Sequence, residues 1–254
     1  EISRRTLYFS KKANEKYSIV NFNDEEGNLK YFESHHYWAD GIKCKYCGVS
    51  RKLYQRDKKL ESYAYSFIHK DKPEELFKMK FDVIIGNPPY QMEDGGNSRS
   101  ASPIYNLFVE QAKKLKPRYL MMITPSRWFA GGKGLNSFRK DMLSDRRLEK
   151  LVDYENSSEV FPGVDIAGGV CYFLWNSNYD GDCEVTNFSV EKNKKNLRKL
   201  DEFPIFIRRS STVSIVKKVK KWMEDSDKQS LSKKVSSRKP FGIPGNYAPK
   251  KEGI

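Results

Sequence analysis

Cysteine and histidine are scarce in this sequence, with four and three among 254 residues. The cysteines at 44, 47, 171 and 183 are too few and too unevenly placed for the disulfide framework of a secreted domain. A reducing, cytoplasmic setting is the expectation. Long apolar runs are missing as well: no stretch approaches the ~20 residues that cross a bilayer, and no charged-then-apolar leader opens the chain. No membrane association is therefore expected. An initiator Met is also lacking, since the chain starts Glu1-Ile2-Ser3, and it reads as a piece of something longer. Negative charge is in short supply. Lys and Arg number 47 against 33 Asp and Glu, a formal +14, and residues 188–254 alone hold 18 basic and 7 acidic residues. Such an excess attracts polyanions through their phosphates, although a solvated basic surface has the same composition.

Residues 1–80 are polar, rich in Lys, Tyr and Ser, and aperiodic until LESYAYSFIH at 60–69, which suits a short helix. This region reads as an irregular insertion. From residue 81 the texture changes. FDVIIG at 81–86 is short, apolar and β-branched at its centre, the pattern of a strand buried on both faces. A polar loop, QMEDGGNSRSA, leads to SPIYNLFVEQAKKLKP, in which Ser102 can cap a helix and Pro103 fits its first position. Ile104, Leu107, Phe108, Ala112 and Leu115 share one face of that helix. YLMMITP at 119–125, LEKLVDYE at 148–155 and GGVCYFLW at 168–175 read as further strands, and GLNSFRKDML at 134–143 as a second helix. Strands alternating with helices predict an α/β fold with a mainly parallel sheet. DCEVTNFSV at 182–190 is expected to add an antiparallel return that closes a C-terminal hairpin. The basic tail carries one helix, STVSIVKKVKKWMED, with Thr212, Ile215, Val216, Val219 and Trp222 on one face. Three regions are thus expected: a polar insertion over 1–80, a catalytic half-sheet over 81–190 and a basic segment over 191–254.

The strand at 81–86 ends on Asn87-Pro88-Pro89-Tyr90. In open α/β sheets, ligand sites lie at the carboxyl ends of strands, so the tetrapeptide stands where a site belongs. Both prolines fix φ and lack an N–H, and Pro88 disfavours a helical Asn87, which makes the turn stiff. A stiff turn can hold a side-chain amide oxygen and a main-chain carbonyl at a set spacing. Two such acceptors suit the two hydrogens of a nucleobase amino group, whose lone pair is otherwise delocalised into the ring and poorly nucleophilic. Tyr90 then offers a face on which the base can stack. A plain proline turn with Tyr90 in the core is the alternative.

FDVIIGNPPYQ resembles motif IV of the S-adenosylmethionine-dependent amino-methyltransferases, in particular the N6-adenine DNA methyltransferases of restriction–modification systems. SPIYNLFVEQAKKLKPRYLMMITPSRWFAGG and EVFPGVDIAGGVCYFLW are similar, in order and spacing, to the elements that come after that motif, so the likeness covers about residues 75–190. The resemblance implies a partial Rossmann-like methyltransferase sheet and direct methyl transfer to N6 of a flipped-out adenine. Asn87 and Pro88 would accept from the amino group and Tyr90 would stack, with Pro89 completing the motif and Phe161 as a second aromatic on the base or a core residue. Enzymes of this kind hold S-adenosylmethionine mainly in a Gly-rich loop upstream of motif IV. DGGNSRS at 94–100 follows no strand and FAGGKG at 129–134 comes too late, so the main cofactor site is expected outside this chain, leaving edge contacts from Asn87 and Pro89. The isolated piece is accordingly expected to be inactive. ISRRTLYFSKKAN at 2–14 resembles the segment after the second strand in that family.

Two features stand apart from that frame. HHYWADGIKCKYCG at 35–48 holds Cys44-x-x-Cys47 with His36 or His35 nearby, which resembles a zinc knuckle, but no second pair completes four ligands, and a metal-free turn is the favoured reading. The tail stands where the family has its target-recognition region. Lys217, Lys218, Lys220 and Lys221, with Arg127 beyond the second strand, are candidate contacts to the phosphates of double-stranded DNA. No nuclease carboxylate cluster is legible, so cleavage would belong to another domain or subunit. An RNA-base or protein-glutamine methyltransferase and a non-catalytic nucleic-acid-binding module stay open as alternatives. The target sequence, the oligomeric state and any cleavage by the whole protein are not readable from these residues.

Overall fold

A computed structural model describes residues 37–38, 41–48, 51, 67–69, 71–75, 80–91, 102–188, 194–225 and 234. The expectations for 1–36, for most of the helix at 60–69 and for the Gly-rich loop at 94–100 lie outside the described residues. The chain divides into two compact units, Glu1–Arg208 and Arg209–Ile254.

The first unit is a mixed α/β domain built on an open six-stranded sheet. In chain order its elements are β1 (Val83–Gly86), α1 (Tyr105–Lys114), β2 (Tyr119–Pro125), α2 (Asn136–Ser144), β3 (Leu148–Tyr154), β4 (Val170–Asn176), β5 (Cys183–Phe188) and β6 (Lys194–Arg198). Across the sheet the order is β1-β2-β4-β3-β5-β6. β1 runs parallel to β2 and β3 to β5, while β4 is antiparallel to both its neighbours and β6 to β5. Four strands therefore point one way and two the other.

Burial alternates along the strands. Ile84, Leu120, Met122, Phe173, Trp175, Leu151 and Val185 are buried on one face, where the core also takes Phe108, Val109 and Ala112 of α1 and Phe138 and Met142 of α2. The period-2 pattern of each strand meets the 3.6-residue stripe of each helix, which is why the two element types pack. The opposite face is open at its β1–β2 end: Val83 is 43%, Ile85 57% and Met121 37% exposed. β1 is thus not buried on both faces, as its composition suggested. It lies at the edge of the sheet among the described residues, and an apolar run reads the same whether one face or both are covered.

Two other expectations are corrected. The segment at 183–188 does not pair with the strand before it; it lies parallel to β3 on one side and antiparallel to β6 on the other, while β4 enters antiparallel between β2 and β3. The antiparallel C-terminal pair is β5 with β6. Helix α1 starts later than expected, with Ile104 as its N-cap and no capping side chain. Pro103 instead bridges Gln91, and the Ile104 N–H donates to the Tyr90 carbonyl at 3.2 Å, so these residues close the loop after β1.

Two carboxylates, one buried and one half-buried, tie the elements together. Asp153, at the end of β3, has no exposed surface and receives both arms of the Arg208 guanidinium, Nε at 2.6 Å and Nη2 at 2.7 Å, plus the Ser126 hydroxyl at 2.8 Å. Gly169 sits beside this clasp at φ +77°, where a Cβ would collide with the Tyr154 carbonyl and crowd the Arg208 Nη2 at 2.9 Å. Asp145, after α2, accepts from Lys113 of α1 at 2.9 Å, from Arg147 at 2.7 Å and from the Trp175 indole of β4 at 2.9 Å. Burial alone would raise its pKa, but the hydrogen bonds and charges of Arg147 and Lys113, with the Trp175 N–H, hold it well below the ordinary 3.8.

The second unit contains α3 (Ser210–Asp225), which bears the expected face: Thr212 and Val216 are half-buried, but Ile215, Val219 and Trp222 are 59%, 49% and 53% exposed. No helix among the described residues is long and apolar enough to cross a membrane.

Arg208→Met leaves the Asp153 charge buried without its counterion, and chemical denaturation is expected to show a loss of about 3–5 kcal/mol. For Asp145 the sign is set by the depressed value: its stabilisation is complete above 3.8 and is lost as pH falls from there through the lower folded-state value. Asp145→Asn is expected to lower stability at pH 7 by about 1–3 kcal/mol and to shrink the acid limb of a stability-versus-pH curve.

Candidate active site

The carboxyl ends of β1, β2 and β3 and the start of β4 share one edge of the sheet. Asn87-Pro88-Pro89-Tyr90 leaves β1 there, Ser126–Phe129 forms a 3-10 turn after β2, and Gly168-Gly169 precedes β4. Asp153 and Arg208 lock this edge from beneath: the Ser126 hydroxyl and the Asp153 carboxylate join β2 to β3, Arg208 Nη2 reaches the Tyr154 carbonyl at 3.2 Å, and the Ser126 N–H donates to the Gly169 carbonyl at 3.0 Å. Neither residue stands out in the sequence. An Asp inside the apolar run LVDY is the signal that points to a buried, paired carboxylate.

Within the tetrapeptide Pro88 is buried, and Asn87, Pro89 and Tyr90 are half-buried. The Asn87 Oδ1 and the Tyr90 hydroxyl are buried atoms without a hydrogen-bond partner. Leaving such a group unpaired costs about 1–3 kcal/mol, so these two atoms are held in place by the scaffold rather than by partners of their own. Burial, with a smaller contribution from Cys171, pushes the Tyr90 phenol far above its ordinary 10.0. It stays protonated through the neutral range and is no base. Tyr90 also packs against the core cluster, and its backbone closes on Ile104.

The other expected site residues are spread over both units. Phe161 is half-buried in the connection between β3 and β4, which is organised around Ser157: its hydroxyl donates to the Val164 carbonyl at 2.8 Å and accepts from the Ile166 N–H at 2.8 Å. Phe161 and Tyr90 leave the same sheet edge, from strands separated by β2 and β4. Arg127 is exposed in the turn after β2, and Lys217, Lys218, Lys220 and Lys221 are exposed on α3 in the second unit. Cys44 and Cys47 are buried together with His69, a residue that no local sequence pattern marks; His36 lies outside the described residues.

The glycines at 131, 132 and 134 all have positive φ, but the space at Gly131 is filled by the Asn136 and Arg139 side chains. Asn136 Oδ1 accepts from the Gly132 N–H at 3.1 Å and Arg139 donates to the Ala130 carbonyl at 2.9 Å, so side chains of α2 fasten this loop. A shallow cleft lined by Leu143, Asp145, Cys183, Arg198 and Leu200 opens at the opposite edge of the sheet, away from Asn87.

The chain has recognisable relatives. It is 36% identical over 226 residues to a protein named "Uncharacterized adenine-specific methylase" from Mycoplasma pneumoniae (strain ATCC 29342 / M129 / Subtype 1), covering 76% of this chain and 54% of that one. It thus spans about half the length of this curated relative. Similar solved structures include a modification subunit of a putative type I restriction enzyme from Vibrio vulnificus YJ016, at 17% identity over 58% of this chain and 32% of that one, with a TM-score of 0.34. Another is the type IIG restriction endonuclease BpuSI, at 14% identity over 57% of this chain and 22% of that one, with a TM-score of 0.37. The model of one protein family matches residues 1–161, and the chain belongs to that family, the Eco57I restriction-modification methylases.

Proposed function

We propose that this chain is the amino-group-holding segment of an adenine N6 methyltransferase of a restriction–modification system. The observation that carries the proposal is the Asn87 side-chain oxygen: a buried, unpartnered acceptor, held by a proline turn at the carboxyl end of a strand. An acceptor kept without a partner at that place is ready for a donor brought by a substrate. The Asn87 oxygen takes one amino hydrogen of a flipped-out adenine and the Pro88 carbonyl takes the other. Accepting both draws electron density onto the nitrogen and favours the pyramidal geometry that its lone pair needs for attack. Tyr90 presents a ring face to the base, and Phe161 supplies a second one. Because its phenol stays protonated, Tyr90 is given no part as a base in this reading.

The base is taken to be adenine because of the family and the 36% identical relative. S-adenosylmethionine is the methyl donor that a methylase of this family implies, and it supplies an electrophilic methyl group. Its cradle is assigned to residues outside those described, with Asn87 and Pro89 at its margin. Double-stranded DNA is the polyanion partner: Arg127 contacts phosphates beside the site, and Lys217, Lys218, Lys220 and Lys221 do so from α3. An endonuclease activity would reside in another domain or subunit.

In the complete protein, Asn87→Ala is expected to lower the rate of adenine methylation by about 100-fold or more while leaving DNA affinity near wild type. Unchanged methylation would sink the proposal. Tyr90→Phe keeps the ring and removes an unpartnered hydroxyl, so methylation is expected to stay within about threefold of wild type and stability to hold or rise by up to about 1 kcal/mol. Tyr90→Ala removes the stacking surface and is expected to weaken binding of a duplex with an unpaired target base by about 1–3 kcal/mol, read by 2-aminopurine fluorescence at that base.

A further inference from the structure

Cys44, Cys47 and His69 take no part in methyl transfer as proposed, and the fold brings them together from segments 25 residues apart. Their side chains are 3%, 5% and 3% exposed, and their ligand atoms all lie within 4.8 Å of one another. Cys44 Sγ and His69 Nε2 are 3.8 Å apart. A tetrahedral zinc ion with ordinary bond lengths holds a thiolate sulfur and an imidazole nitrogen about 3.6 Å apart. The observed spacing is that of two neighbouring ligands around one ion.

The turn that carries the cysteines has the form of a metal knuckle. Trp38 bridges Cys44 in antiparallel fashion, the Lys45 N–H donates to the Tyr37 carbonyl at 2.7 Å, and the Gly48 N–H closes back on the Cys44 carbonyl at 2.9 Å. Gly48 holds φ at +75°, a conformation that lets the chain turn directly after the second cysteine. Neither cysteine is in a disulfide. A metal-free turn, the reading favoured from sequence alone, needs no second thiol and gives no reason for a buried histidine to converge on the pair. Cys171 and Cys183 make the contrast: they lie apart on β4 and β5, in no such group among the described residues, and burial pushes their thiols up to about 11 and 12.

We propose that Cys44, Cys47 and His69 bind one structural zinc ion. Two thiolates and an imidazole are a soft donor set that suits zinc over magnesium or calcium. The ion would fasten the insertion to the catalytic sheet. Phe67, two residues before the histidine, lies 6.0 Å ring to ring from Phe108 and accepts from the Gln111 amide at 2.9 Å, both on α1, the helix that comes after the Asn-Pro-Pro-Tyr loop.

The test is elemental analysis and cobalt substitution on the 254-residue chain, purified without metal-affinity resin and reconstituted with zinc alone. One zinc per chain is expected, and the cobalt form should show thiolate charge-transfer and tetrahedral d–d bands. Cys47→Ser and His69→Ala should each lower zinc affinity at least about tenfold in competition with a chromophoric chelator, and Cys171→Ser and Cys183→Ser should not. The cobalt spectrum of the unaltered chain serves if those variants fail to fold. Substoichiometric zinc after reconstitution, or an octahedral cobalt spectrum without charge transfer, would overturn the site.

Discussion

A carboxylate with no exposed surface cannot stay charged inside a protein unless something meets it, and Asp153 is met from three sides. Much of the site edge is a consequence of that constraint. The two oxygens of Asp153 fix the Arg208 guanidinium in a bidentate plane and the Ser126 hydroxyl beside it, so the ends of β2 and β3 and the entry to β4 are held at set positions. At Gly169 the carbonyls of Tyr154 and Glu155, with the Arg208 guanidinium behind them, leave no space for a side chain. Rigidity at this edge matters because the proposed chemistry demands little else of the protein than accurate placement.

Against that rigid background, Asn87 is one of a few residues with a buried polar atom left unbonded, and it stands on the turn directly after β1. Most buried polar atoms have partners, and the neighbouring network shows how thoroughly this fold can supply them. Its side-chain oxygen is left without one, on a turn whose two prolines have no N–H groups to offer. The same reasoning separates Tyr90 from a catalytic base. Burial keeps its proton on.

How much was legible in the sequence depended on the range of the interaction involved. YLMMITP reads as a strand from its own composition and is one, residue for residue; α2 and β3 begin or end within two residues of their expected bounds. The motif after β1 was legible because proline and asparagine act locally. Pairing was not. Nothing in CEVTNF says that its neighbour is β3 rather than β4, and KKNLR of β6 has no strand-like alternation, being a lysine-rich outer strand whose polarity suits a sheet edge. The late start of α1 was hidden because Pro103 and Ile104 are drawn into the closure on Tyr90, a tertiary demand that outweighs the favourable capping of Ser102. His69 and Arg208 were missed for a related reason: each meets its partner 25 or 55 residues away, and neither lies in a recognisable local pattern.

The position of β4 also sets an order of events during folding. β2 and β3 are consecutive strands linked through α2 but never touch; the antiparallel β4 fills the gap between them. Without β4, the β1–β2 pair and β3 have no strand to join them, and β5 and β6, which come after β4 in the chain, extend the sheet only beyond β3. The β4 side chains Phe173 and Trp175 cannot be buried before that strand is in place. A nascent chain paused upstream of residue 170 would carry the complete Asn-Pro-Pro-Tyr sequence without the frame that holds it still.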